Sequence, residues 1–365
     1  MNSSRSSIIV DLNKLEQNIK SLMASAGNKD MCAIIKANAY GHGAVNIAHK
    51  LETMGIKYIA VATLVEAIEL RKKSIQIPNV LVFQTKLHQN KQNLIDNQIT
   101  PVISNLEDLK AFTASNIKFH LEFDTGMQRT GISIDEINTA IELLNNSNIK
   151  KIEGILSHYT SAESIDQTQS KLQFEAFNQV LSNFKENNIQ INRIHLANSA
   201  GIYLNDNVSN MVRAGLAIYG LSPFVNKQLN ILPIMSWHTK PCQIRRIKKG
   251  QGVSYNHTWL AKKDTVTATL PVGYADGYPR VISNKGYTLV NGIKAKIIGN
   301  ICMDYMMIDI TNCGLVTLDS DVILIGENNS TITASDLADW SNTISYEIVC
   351  NAGKRSKFFY LNGDK

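Results

Sequence analysis

Lys36 closes an apolar run, Cys32-Ala33-Ile34-Ile35, and opens Ala37-Asn38-Ala39-Tyr40-Gly41-His42-Gly43. A short stretch of small and branched apolar residues reads as a buried strand, so this lysine stands where a strand meets a loop, half out of a core. An amine in such a place gives up its proton more easily, because burial disfavours the charged form, and becomes a candidate for Schiff-base chemistry. A lone strand-end lysine is more often a side chain reaching for solvent. The tyrosine four positions on and the Gly-His-Gly that leads into a helix suit instead a loop closing on a ligand. Other polar segments also follow apolar runs: Asp124-Thr125-Gly126-Met127-Gln128-Arg129-Thr130-Gly131, His158, Asn198-Ser199-Ala200 and Arg213-Ala214-Gly215-Leu216. Singly, each has a plain alternative: a turn, a satisfied structural histidine, a helix cap, a salt-bridge arginine.

The elements that must position these residues alternate. Eight short apolar runs read as strands: Cys32–Lys36, Tyr58–Ala62, Val80–Phe83, Thr100–Ile103, Lys118–Phe123, Ile152–Leu156, Arg193–Leu196 and Met211–Ala217. Amphipathic stretches such as Leu64–Arg71, Asn105–Phe112, Asp135–Leu144 and Lys171–Phe184 lie between them, and Asp11–Ser25 is helical in pattern ahead of the first. Strict alternation implies parallel pairing through crossover helices, and eight repeats imply an α/β fold with an N-terminal (β/α)8 TIM-like barrel, whose chemistry sits at the C-terminal strand ends. All the polar segments above fall at that end, which is hard to assign to accident. After Ser222-Pro223 the pattern changes to short β-like runs: Lys240–Ile247, Thr265–Leu270, Thr288–Val290, Ile293–Ile298, Met306–Ile310, Val322–Ile325 and Leu315–Leu318, with a helix-like Ser335–Trp340. Asn291-Gly292 is a hairpin signal. A C-terminal mainly β domain is expected, with a boundary near 222–238 and domains 1–230 and 231–365.

The 365 residues suffice for two domains and a large core, and no run of about 18 apolar residues suggests a membrane span. The N-terminus lacks the apolar stretch of a signal peptide. Five scattered cysteines without CxxC spacing read as free thiols of a reducing, cytoplasmic compartment. The net charge of +6 is densest at Arg245-Arg246-Ile247-Lys248-Lys249, but no aromatic interleaving marks a nucleic-acid partner. No histidine or cysteine spacing fits a metal.

IIKANAYGHG, HLEFDTGMQRTG, GILSHYTSAE, HLANSA, MVRAGLAIYGL, GVSYNHTW, PVGYADGYPR, GNICMDY and SYEIVC together resemble the bacterial alanine racemases over nearly the whole chain. The resemblance implies pyridoxal 5'-phosphate (PLP) as cofactor, carried on Lys36, and racemisation of L- and D-alanine that supplies peptidoglycan synthesis. It implies Arg213 facing the pyridine nitrogen, Arg129 near the cofactor phenolate and substrate carboxylate, and His158 orienting Arg213 and the second base. Tyr40, Asn198, Ser199, Gly215, Leu216 and Tyr346 would bind the cofactor, mostly at its phosphate. From the β domain would come Tyr255 as second base, Met303 and Asp304 at the substrate pocket, and Tyr274 at the entrance. Racemisation needs proton removal on one face and delivery on the other, hence two acid–base groups; a phenol can serve when neighbouring cations or hydrogen bonds favour its ionised form. The family's head-to-tail homodimer, with active sites shared between subunits, is implied as well.

Two positions depart from familiar relatives. Asn256 follows Tyr255 where many have glycine, and asparagine tolerates left-handed backbone. Glu122 stands where several relatives carry a lysine that becomes carbamylated. Alternation along Lys118–Phe123 turns His120 and Glu122 to the barrel interior, so Glu122 is expected to accept hydrogen bonds from Arg129. Three rival readings remain: a serine or broad-specificity racemase, a non-enzymatic PLP-binding barrel, which would lack the β domain, and a fold-related decarboxylase, which would set an acid against the pyridine nitrogen where Arg213 stands.

Overall fold

The computed structural model of the protein describes residues 5–204, 206–224 and 228–362. Part of the expected boundary region, residues 225–227, lies outside them. The chain divides into two compact units: Leu15–Ala39 with Gly43–Leu232, and the chain up to Lys14 with Tyr40–His42 and the chain from Pro233. The division expected at 230/231 assigned the first fourteen residues and Tyr40–His42 to the barrel; the contacts group them with the second unit instead.

In the first unit, eight parallel strands run in the order Met211–Ala214, Asp30–Ile34, Tyr58–Val61, Asn79–Val82, Ile99–Ile103, His120–Asp124, Lys151–Leu156 and Gln190–His195. Asn210 N–H donates to Ile194 O at 3.0 Å and Arg213 N–H to Ala197 O at 2.9 Å, bringing the two ends of this row together in a nearly closed barrel. Strand residues alternate between interior and helices: Phe123 packs edge-on against Phe184 of the helix Thr168–Glu186, ring centroids 5.7 Å apart, while His120 faces the interior. The eighth strand stops at Ala214, not Ala217, because Gly215 turns the chain into a 3-10 helix, Leu216–Tyr219. The first strand stops at Ile34, two residues short of Lys36.

The second unit is built on a mainly antiparallel sheet. Its edge toward the termini was unexpected: Ser6–Asp11 is a strand, antiparallel to Met235–Thr239 and parallel to Lys357–Leu361, so the helix expected from Asp11 begins at Leu12. Alternation explains it, since Ile8 and Val10 are fully buried. Of the run expected as Lys240–Ile247, only Gln243–Ile247 is a strand; Pro241, which offers no N–H to a ladder, separates it from a further strand ahead of that run, Met235–Thr239. Leu315–Leu318 forms no strand, and Leu315 is exposed. The Asn291-Gly292 hairpin forms, with Val290 opposite Ile293 and φ of 52° and 77° at the turn, as a two-residue primed turn requires. Among the described residues no helix is long and apolar enough to cross a membrane.

Candidate functional site

Lys36 does not end a strand; it begins a left-handed turn. Ala37, Asn38, Ala39 and Tyr40 have φ of 52°, 53°, 54° and 52°. Left-handed backbone costs L-residues about 1–2 kcal/mol each, so four in succession persist only where neighbours impose them. Ala39 N–H donates to Ile35 O at 2.9 Å, Gly43 N–H to Asn38 O at 2.9 Å and Ala44 N–H to Asn38 Oδ1 at 2.8 Å. At the strand end, Tyr219 Oη donates to Ile34 O at 2.9 Å. Lys36 is half-buried as expected.

Arg213, 3% exposed, is the electrostatic centre of the barrel interior. Its Nη2 donates to Ser157 O at 2.6 Å, Leu196 O at 3.2 Å and His158 Nδ1 at 3.3 Å, and its Nη1 donates to His195 O and, at 3.0 Å, to His195 Nδ1. Among the described residues Nε has no acceptor. His195 Nε2 lies 2.9 Å from His120 Nδ1. Burial, then Arg213, then His120 hold His195 far below its ordinary value, and burial followed by Arg193 and Arg213 takes His120 to about 3. His158 falls to about 3 through burial, then Arg213, Arg129 and Lys36. All three rings are therefore neutral at neutral pH. The proton order follows: Arg213 donates to His195, which carries its proton on Nε2 and donates to His120. Burial lowers Arg213 itself to about 10, still protonated at neutral pH. His195 and His120 had no assigned part in the sequence reading; only the outward–inward alternation placed His120 inside.

Ser199 Oγ accepts from Gly215 N–H at 3.0 Å and Ala217 N–H at 3.4 Å. A hydroxyl has two acceptor positions and one proton; with both accepting, its proton is free for an incoming oxygen, and no acceptor takes it among the described residues. The Gly215 amide, expected to reach a phosphate, is thus turned to Ser199. Asn198, expected among cofactor contacts, spends its amide on the protein: Oδ1 accepts from Ala200 and Gly201 N–H at 3.2 and 2.9 Å, and Nδ2 donates to Tyr159 O at 3.1 Å, 3.5 Å from His158 Nε2. These bonds tie it to the amides that lead into the short helix Gly201–Tyr203.

Glu122 is buried beside these groups, but it does not pair with Arg129. Its carboxylate is hydrogen-bonded to Thr130. The reason is the loop's return: Ile132 pairs with Phe123, which brings Thr130 back over the strand end while Arg129 points to solvent. Burial raises Glu122 above the usual carboxylate range against the opposing pull of Arg213, Thr130 and Arg129. The folded protein then binds this proton more tightly than the unfolded chain, so the group's stability contribution is fully present below the unfolded value and is lost as pH rises through the folded one. Glu122→Gln, which mimics the protonated acid, is expected to match the native protein's stability in acid and exceed it at neutral pH. A lower melting midpoint for the variant at neutral pH would contradict this.

The second unit gathers a separate set. Tyr40 and Tyr346 have ring centroids 6.0 Å apart, and burial, then Tyr346 and Cys350, raise Tyr40 above the usual phenol value. Gly41, at φ 80°, passes so close to Val349 that a Cβ would lie 2.2 Å from its carbonyl oxygen. Tyr274 N–H donates to Cys302 O at 3.1 Å and Ala275 N–H to Met303 O at 3.0 Å, while Ser254 Oγ donates to Asn300 O at 2.6 Å and Asn300 Nδ2 to Tyr255 O at 2.9 Å. The segment 300–304 thus ties Tyr255, Tyr274, Met303 and Asp304 into one cluster. Tyr255 is 70% exposed, on backbone with positive φ at Ser254, Asn256 and His257; Asn256 takes the conformation that its glycine counterpart suggested. Asp304 Oδ1 accepts from Arg355 Nη1 at 2.8 Å, and Arg355 also grips the buried Asp276 through Nε and Nη2, both at 2.8 Å. Arg5 Nη2 donates to Asp304 O. Asp276, Arg355 and Asn300 were not singled out in the sequence; Asp276, inside GYADG, was the visible signal. Among the described residues no group of His, Cys, Asp and Glu is placed to hold a metal.

Residues 10–223 match the family model of the alanine racemase N-terminal domain, and residues 234–360 that of the alanine racemase C-terminal domain. The chain is 36% identical to the alanine racemase of Clostridium kluyveri over 97% of its length and 93% of that protein. Its fold is similar to the crystal structure of alanine racemase from Streptomyces lavendulae, with a TM-score of 0.92 at 28% identity over 100% of this chain and 99% of that one. It is also similar to the alanine racemase from Bartonella henselae with covalently bound pyridoxal phosphate, with a TM-score of 0.87 at 28% identity over 98% of this chain and 99% of that one. With both halves matched in order and over nearly their full length, the chain belongs to the alanine racemase family.

Proposed function

We propose that this chain is a PLP-dependent enzyme that interconverts L- and D-alanine, with Lys36 and Tyr255 as its two acid–base groups. The observation that carries the reading is Arg213: both terminal nitrogens are committed to carbonyls and neutral histidines, which leaves Nε–H to face a single acceptor such as a ring nitrogen. The Ser199 hydroxyl, with its proton unspent and Leu216 at the amide end of the short helix that follows Gly215, suits a phosphate; in the second unit the tyrosine pair Tyr40 and Tyr346 offers hydroxyls of the same kind. These residues fit the cofactor. When bound, pyridoxal phosphate supplies the electron sink that makes the alanine Cα–H acidic.

Lys36 Nζ attaches the cofactor and moves the Cα proton on one face; Tyr255 Oη moves it on the other. His158 holds Arg213, Arg129 and Met303 bind the substrate carboxylate and side chain, Asp304 fixes Met303's segment through Arg355, and Tyr274 lines the approach. The barrel unit would hold Lys36 with the cofactor, and the second unit would supply Tyr255, to a partner subunit in a head-to-tail homodimer. A cytoplasmic site and D-alanine for peptidoglycan are the matching context. Purified protein offered a panel of L-amino acids, with D-product read out, is expected to turn over alanine well above all others. Equal turnover of serine would move the reading to a broad racemase, and bound cofactor without any D-product would overturn it.

Arg213 is proposed to limit side reactions. An arginine keeps its proton, so Arg213 donates a hydrogen bond without protonating the atom it faces. Arg213→Glu supplies an acid instead. It is expected to release pyruvate from alanine, the product of side transamination, at least about tenfold above the native protein, a change of about 1.4 kcal/mol in selectivity. Pyruvate at the native level would defeat the assignment.

A further inference from the structure

The left-handed turn after Lys36 has a tether from another part of the barrel. Glu66 is the third residue of the helix Leu64–Lys72, and it forms an ordinary capping box with Thr63: Thr63 Oγ1 accepts from Glu66 N–H at 3.2 Å, and Glu66 Oε2 accepts from Thr63 N–H at 3.0 Å. Oε2 also takes Ala62 N–H at 2.8 Å. A capping box needs no more than this. Yet the second oxygen, Oε1, accepts from Ala37 N–H at 2.6 Å, 29 residues away in the chain. One carboxylate therefore joins the end of the second barrel strand to the turn that follows the first.

We propose that Glu66 is a positioning residue for the reaction, holding through the Ala37 amide the peptide plane from which the Lys36 side chain is aimed. This rests on the reading of Lys36 as the reacting amine. The peptide group linking Lys36 to Ala37 is planar, so fixing its N–H fixes the Lys36 carbonyl and with it the backbone rotation of Lys36. The bond is charge-assisted, hence short and directional. Residue type matters too. Three N–H groups converge on two oxygens, which only an acceptor-only side chain satisfies. A glutamine has one oxygen; if that oxygen keeps the helix cap, its amide nitrogen meets Ala37 N–H donor to donor.

The test uses Glu66→Gln, Glu66→Ala and the control Thr63→Ala, which weakens the helix cap without touching Ala37. Two quantities are read: exchange of the Ala37 amide in the cofactor-free protein, and kcat and KM for alanine in the loaded enzyme. Both Glu66 variants are expected to speed Ala37 exchange about tenfold or more and to lower kcat about 10- to 100-fold with KM nearly unchanged, since misplacing a reacting group by about 1 Å costs about that much. Thr63→Ala is expected to lower the melting midpoint with native exchange at Ala37 and native kcat. Native exchange and kcat in Glu66→Ala would overturn the proposal, as would a Thr63→Ala variant that loses kcat to the same extent. If Lys36→Ala retains turnover, the reading of Lys36 itself falls; if it is inactive while Glu66→Ala is native, only the role of Glu66 falls.

Discussion

Lys36→Ala is expected to abolish racemisation and covalent cofactor attachment together, while the protein folds as before. The fold survives because the turn is held by backbone and side-chain bonds at Ile35, Asn38, Ala39, Gly43 and Ala44, none of which uses the lysine side chain. The chemistry does not survive, because no other amine stands at that position to form the covalent link. Charge is a separate matter: Lys36 is one of the cations that hold His158 neutral. Lys36→Arg keeps that positive charge but cannot form an imine, and it is expected to be equally inactive. Borohydride reduction followed by mass measurement reads attachment, and D-alanine formation reads turnover. Turnover in either variant above about one part in 10² of the native rate, a smaller loss than the usual worth of a single acid–base group, would mean that the amine is not the reacting group.

The barrel was legible because its signal is local. Apolar runs and amphipathic stretches alternate within windows of ten to twenty residues, and the strand ends fixed where polar residues could meet. What lay outside such windows was missed. Ser6–Asp11 is a strand only because Met235–Thr239 and Lys357–Leu361 lie on either side of it, and nothing near it in sequence announces them. The left-handed turn after Lys36 contains no glycine until Gly41, so propensity reads it wrongly; tertiary hydrogen bonds override the local preference. Arg213, His195 and His120 are linked across 18 and 75 residues, and a histidine on an apolar strand carries no mark of its partner. Glu66 is hidden differently: its spacing from Thr63 gives it a complete local role in a capping box, and its second oxygen meets Ala37 only in the folded chain. With Glu122 the alternation correctly gave the interior face, but the return of the loop through Ile132 substituted Thr130 for the expected arginine.

Tyr255→Phe is expected to keep the fold and the bound cofactor while lowering turnover about 10²- to 10⁴-fold, the usual worth of an acid–base group, or about 3–5 kcal/mol of barrier. The structure makes this an unusually clean substitution. Tyr255 is held by its backbone, through Asn300 and the left-handed residues on either side of it. Its hydroxyl has no hydrogen-bond partner among the described residues, so removing it breaks nothing that supports the protein. Lost turnover would therefore report on proton transfer. The loss should also be one-sided. Because each base serves one face, solvent deuterium should still enter Cα of one enantiomer of alanine at near-native rate and of the other hardly at all. Equal loss from both would argue against two separate bases. The same variant tests the shared site. Mixed with Lys36→Ala under conditions where subunits exchange, it can form a heterodimer with one site carrying both lesions and one carrying neither. If Tyr255 serves the partner's lysine, an equal mixture should recover up to about a quarter of the native activity: random exchange makes half the dimers mixed, and half the sites in those are intact. Absence of recovery despite measured exchange would place Tyr255 and Lys36 of the same chain in one site.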